Sequence, residues 1–189
     1  MKRTFAVGTF AVGALIAGLS LGAPAFAESL TEKTGVNEML GVSPSTSDFV
    51  TEAAIGGMFE IQSSEIAKQK GSSAEQSFAE RMIEDHTKAS NELKSLVQNG
   101  SVRADLPTAL DGATQKKLDQ LKGLSGAEFD KTYADDQVSA HKDAVSLFER
   151  YAKGGDNEAL RQWASATLPT LRGHLEMAQD MRRNRVATP

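Results

Sequence analysis

A chain of 189 residues, 40% hydrophobic and 24% charged, is long enough to bury one proper core and too short for several domains. Its net charge of −4 argues against nucleic acid as a partner. With no cysteine, it has no disulfides, thiolate metal sites, thiol nucleophile or cysteine-attached haem, so any site must be built from His, Asp, Glu and hydroxyl groups.

Residues 1–27 read as a secretory leader. Lys2 and Arg3 give a basic start, Phe5 to Leu21 an apolar stretch, and Ala25-Phe26-Ala27 a small-x-small cleavage site. The apolar stretch is also about as long as a membrane span, which makes an uncleaved anchor the alternative. Gly8, Gly13, Gly18 and Gly22, with Pro24 ahead of the cleavage site, favour cleavage. Cleavage after Ala27 leaves 162 residues; it removes two basic and no acidic side chains, taking the charge from −4 to −6. The expected location is the periplasm, with outer-membrane association as an alternative, and no later segment is apolar enough to span a membrane.

Residues 28–46, polar and broken by Gly35, Gly41 and Pro44, form a loose lead. Ser45-x-x-Asp48 then opens an apolar-periodic run through Val50, Ala54, Met58 and Ile61 to Glu65, which Gly71 ends. Ser72-x-x-Glu75 is a capping box for a second run through Phe78, Met82, Ala89, Leu93 and Leu96, stopped by Asn99-Gly100. A longer connection holds Pro107 and a short helical piece around 113–122. Ser125-x-x-Glu128 is the expected cap of a third run, Phe129 to Tyr151, broken by Gly154-Gly155. Asp156 is the expected start of the fourth, Leu160 to Ala178, in which Pro169 predicts a kink. The fold expected is all-α: an up-down-up-down four-helix bundle over 47–185, with a short extra helix between its second and third long helices. The Gly56-Gly57 pair reads as a place where helices pack closely, and Arg182, Arg183 and Arg185 complement a helix C-terminus.

The three histidines fall on three different helices. With about 100° per residue, measured from Phe78, Phe129 and Leu160, His86 lies at about 80° and Asp85 at about −20°. His174 lies at about −40°, on its apolar stripe, and His141 at about 120°, on the shoulder of its own, where Asp136 lies at about −20°. On the first helix Glu60 continues the row Phe49, Ala53, Gly56. Levelled along antiparallel helices, Glu60, His86, Asp136, His141 and His174 fall within about 8–10 Å of height, so one polar layer inside the bundle is expected.

Two readings of that layer stay open. Two or three imidazoles with a carboxylate suit zinc, copper or iron, making His86, His141, His174, Asp136 and Glu60 the candidate metal ligands. The plainer reading makes Asp85-His86 a structural polar pair and leaves the histidines partly exposed or satisfied by carboxylates such as Asp85 and Asp136. The residues three before the histidines are Ile83, Val138 and Leu171, so Glu-x-x-His is missing and a ferritin-type di-iron centre is not expected. Gly-x-Ser-x-Gly, His-Glu-x-x-His and the P-loop are missing too, and no catalytic residue is assigned.

The segments "DFVTEAAIGGMFEIQSSEIAKQKG", "FAERMIEDHTKASNELKSL", "GAEFDKTYADDQVSAHKDAVSLFE" and "LPTLRGHLEMAQ" together resemble a family of exported bacterial proteins, domain of unknown function 4142. The resemblance runs from about Ser47 to Asp180 and rests on Asp-His, Ala-His and Leu-Pro-x-Leu-x-x-His on successive helices. It implies a ferritin-like bundle in exported proteins commonly labelled membrane or outer-membrane proteins. It implies no established activity, although the family motif includes positions matching His86, His141 and His174.

Three functions follow. The first is a non-enzymatic exported bundle, a binding or envelope-stress accessory protein, with a small ligand or an envelope protein as partner. The second is a metal-binding protein or metal-dependent oxidoreductase using the His/carboxylate layer. The third is an envelope component that acts by oligomerising. Histidine side chains that converge on one point favour the second; a large apolar surface patch favours the third.

Overall fold

A computed structural model describes residues 35–186, and the leader expected over 1–27 lies outside them. Among the described residues the fold is all-helical: α1 (Val36–Leu40), α2 (Thr46–Lys70), α3 (Ser73–Gln98), α4 (Gly112–Gly123), α5 (Gly126–Gly154) and α6 (Glu158–Val186). The short α1 lies in a lead where the sequence pattern signals no helix.

Capping chemistry sets most of the boundaries. Ser45 caps α2 by accepting from the Asp48 N–H at 3.1 Å. Ser72 and Glu75 form the expected reciprocal box: the Glu75 N–H donates to Ser72 Oγ at 3.4 Å and the Ser72 N–H to Glu75 Oε2 at 2.8 Å. Asp111 caps α4 through the Ala113 and Thr114 N–H groups. Two expected caps differ. The Ser125 side chain makes no capping bond, and the chain turns there on Gly126, whose φ is +57°. At the fourth long helix, Asn157 takes the place of Asp156 by accepting from the Leu160 N–H at 3.0 Å. Asp156 is engaged elsewhere, accepting from Thr46 Oγ1 at 2.5 Å and Tyr151 Oη at 3.2 Å. Helix α6 continues past Pro169 to Val186.

The four long helices pack as a bundle in which α2 lies against α3 and α5, and α6 against α5 and α3. Helix α4 rests on α2 and α5. Gly57 is buried where α2 meets α3, and a Cβ there would come within 3.0 Å of Ser90 Oγ. The exposed Gly56 meets nothing. Gly155 is needed for a different reason: a Cβ would lie 2.5 Å from the ring of Tyr151. That ring stacks on Phe49 at 4.0 Å between centroids and cannot step aside cheaply.

Two apolar clusters make the core. One gathers Phe49, Leu93, Leu147, Phe148, Tyr151, Leu160 and Leu171. The other gathers Phe59, Phe78, Met82, Phe129, Tyr133 and Ala178. Along each of α3, α5 and α6 the gap between the clusters holds a histidine: His86 between Met82 and Leu93, His141 between Val138 and Leu147, and His174 between Leu171 and Ala178. On α2 the buried face runs through Phe49, Phe59, Glu60, Ser63, Ser64 and Ala67. The row expected through Met58, Ile61 and Glu65 is only partly covered, and Glu65 is exposed.

Ser72→Ala removes one half of the α3 box and should cost about 1 kcal/mol of stability. Urea denaturation would measure it; an unchanged midpoint would show that the box adds nothing to this helix.

Candidate metal centre

The buried faces of four helices bring His86 (α3), His141 (α5), His174 (α6) and Glu60 (α2) into one layer. The three imidazoles are 8%, 1% and 2% exposed, and Glu60 is 4% exposed. The ring centroids form a near-equilateral triangle of 5.3, 5.4 and 5.6 Å. One ring nitrogen from each lies within 4.8 Å of the others, so the three could hold a metal ion.

The hydrogen bonds select the nitrogens. His141 Nδ1 lies 2.9 Å from the Gln137 carbonyl oxygen, which can only accept, so Nδ1 carries the proton and Nε2 keeps its lone pair. His174 Nε2 lies 2.9 Å from Asp85 Oδ2 and donates to that carboxylate, leaving the lone pair on Nδ1. Among the described residues, His141 Nε2, His174 Nδ1 and His86 Nε2 are buried without a hydrogen-bond partner. Imidazole acceptors that face one another with no donor between them are costly to bury. The bonds at the far sides of His141 and His174 are those that orient metal-binding histidines: a backbone carbonyl and a carboxylate on the non-ligating nitrogen. Tetrahedral zinc with bonds of about 2.0–2.1 Å needs nitrogens about 3.4 Å apart. The triangle must draw in by a little over 1 Å, within reach of small side-chain rotations.

Asp85 therefore has a different partner from the one its neighbour in sequence suggests. It accepts a hydrogen bond from His174 and sits 3.5 Å from Arg81 Nε, bridging α3 to α6; the expected Asp85-His86 pair is not what the structure forms. His141, expected on the shoulder of its helix, is among the most buried side chains. Asp136 is only half-buried and stands outside the histidine group. Glu60 comes beside it, with Oε1 4.0 Å from His141 Nδ1. Neither Glu60 oxygen has a partner within hydrogen-bond geometry, and the neighbouring Gln137 Nε2 donates to Ser63 Oγ at 3.3 Å. Ser63, Ser64, Tyr133 and Gln137 continue the polar layer on one side, with Ser64 Oγ 3.0 Å from Tyr133 Oη. Hydrophobic periodicity does not reveal this extension; the signal on offer is the Ser63-Ser64 pair facing Gln137.

Burial sets the charge of the site. It lowers all three imidazole pKa values, His141 to about 4, with the other histidines lowering His86 and His141 further. Burial pushes the Glu60 carboxyl up to about 8, tempered by Gln137. At neutral pH and without metal the layer is an array of uncharged groups.

An all-helical bundle with a buried three-histidine cluster is the class these observations define. Residues 31–181 match the family described as Domain of unknown function (DUF4142), and the chain belongs to that family. No curated protein and no solved structure matches the chain.

In metal-free protein the layer sets a pH optimum. Below the ordinary histidine pKa of 6.5, the unfolded chain takes up protons that the folded histidines refuse, so stability falls with pH, for His141 down to about 4. Glu60 works in the opposite sense. Its folded form keeps a proton that the unfolded chain loses above 4.5, and the stability this provides is lost as pH rises toward about 8. Within the layer three histidines oppose one carboxyl below 6.5 and Glu60 alone acts above it, so the layer's contribution to stability should peak near pH 6.5. The fall from there to pH 8 should be about 2 kcal/mol. Urea titrations with a chelator present would measure both arms, and Glu60→Gln should flatten the alkaline one. An alkaline arm unchanged in that variant would refute the assignment.

Proposed function

We propose that this chain is an exported transition-metal-binding protein whose ligands are His86, His141 and His174. The observation that carries this reading is the set of three buried imidazole nitrogens that converge without hydrogen-bond partners. Three neutral imidazoles suit zinc, copper or iron, and the lack of thiolates argues against sites selective for softer ions. Three protein ligands leave a position open, as catalytic and ligand-exchanging metal sites do. Glu60 approaches His141 on its Nδ1 side, so it borders the site as an outer carboxyl and is not assigned as a ligand. Asp136 is too far toward the surface to be favoured as a ligand.

The expected leader over residues 1–27 supports a periplasmic location. The short links at Gly71–Ser72 and Gly155–Asn157 support the up-down-up-down, ferritin-like order of the long helices. The absence of Glu-x-x-His favours one metal ion over the paired ions of ferritin-type centres. Among the described residues no helix is long and apolar enough to cross a membrane, and the exposed large hydrophobics are Met39, Leu40 and Val42. So small a patch lends little to the oligomerising-envelope reading. The reading is one of binding, and no catalytic role is assigned to any residue of the layer.

Elemental analysis of untagged protein, followed by zinc and copper titration, tests this. About one ion per chain is expected, lost in His141→Ala and in the His86→Ala/His174→Ala double variant. Asp85→Asn, which loosens only the orientation of His174, should weaken binding about 10–100-fold. Protein that arrives metal-free and takes up none on titration would end the metal reading.

A further inference from the structure

The histidine triangle is not sealed. A cavity of about 300 Å³ lies between the long helices, with His86, His141 and Glu60 on its wall and His174 behind them, off the lining. Its body is apolar, built by Ala140, Ala144, Leu147, Leu93, Phe148 and Leu171. Asp111, Thr114 and Lys117, at the start of α4 and within it, also reach the lining. The lining residues include four buried atoms without a hydrogen-bond partner: His86 Nε2, His141 Nε2 and both Glu60 oxygens. A cavity of this volume is at the small end of ligand sites, which run roughly 300–1,000 Å³, and has room for one ring.

We propose that this cavity binds a small organic anion, a single apolar ring bearing an oxygen-acid head that ligates the metal between His86 and His141. The proposal rests on the metal reading above. Three neutral imidazoles leave the charge of a divalent ion uncompensated, so the open position favours an anionic donor over a neutral one. Glu52, Glu60, Asp111 and Asp143 share the lining with a single lysine, Lys117, so preference for an anion arises at the metal and not from the cavity wall. The ring replaces water against the alanine and leucine walls.

Trp163, the only tryptophan of the chain, lies on the cavity wall and reports on its contents. The test titrates zinc-loaded protein, with its zinc content measured, using benzohydroxamate and acetohydroxamate while following Trp163 fluorescence. The two probes share a head and differ in the ring. Benzohydroxamate should shift the fluorescence saturably and bind at least about tenfold more tightly than acetohydroxamate. The response should vanish when zinc is removed. Ala144→Phe should abolish the ring preference while retaining the zinc; if that variant does not fold, Ala144→Leu, a smaller intrusion, should reduce the preference by several-fold.

Zinc-loaded protein that binds both probes equally, or neither, overturns the cavity proposal and leaves the metal reading standing. A ring preference that survives filling the cavity overturns it too. Protein that takes up no zinc ends the metal reading first, and this proposal with it. A Trp163 response that is the same without metal overturns the head-to-metal contact by itself.

Discussion

Desolvation of a polar layer is the constraint on which the rest of this structure depends. Three imidazoles and a carboxyl lie at the height where two apolar clusters would otherwise join. Burying them is affordable only if each group is neutral, hydrogen-bonded or bound to something else. The far sides of His141 and His174 are satisfied by Gln137 and Asp85, and burial keeps the site uncharged. The near sides are left facing one another. A helical bundle with no such need would fill this layer with leucine, as the flanking turns do at Leu93, Leu147 and Leu171.

Much of the architecture is legible in the sequence because it depends on local chemistry. Ser45, Ser72 and the Asn99-Gly100 stop act through backbone groups within a few residues, and the structure places them as the pattern does. Ser125 fails where Gly126 supplies the turn, and Asp156 fails because Thr46, 110 residues away along the chain, and Tyr151, at the end of the preceding helix, claim its carboxylate. The helical pattern cannot carry that information. The angles that put His141 on a shoulder assume one apolar stripe centred on the hydrophobic residues. A helix that faces both a polar layer and a cavity has a wider buried arc, and the stripe then misjudges its edge.

The pairing of Asp85 shows the same limit more sharply. Adjacent residues on a helix point about 100° apart, so Asp85 and His86 were never well placed to bond each other. One faces the seam with α6 and finds His174; the other faces the interior. The family match, which covers residues 31–181, names no activity, so the weight of the functional argument falls on this geometry.

Glu60 and the three histidines each come from a different helix, His86 and His141 lying 55 positions apart along the chain and His141 and His174 33 apart. No two of the histidines are close enough in sequence to form a local chelate, such as the i, i+4 pair of a single helix. An unfolded or half-assembled chain therefore offers an ion only single imidazoles, and the full site exists once both helical pairs have docked. Occupancy then acts as a proofreader of assembly: an ion that binds only the finished bundle stabilises it by mass action, in proportion to the logarithm of free metal. On the proposed metal reading, the concentration of available metal would thus set how large a share of the copies stays fully assembled.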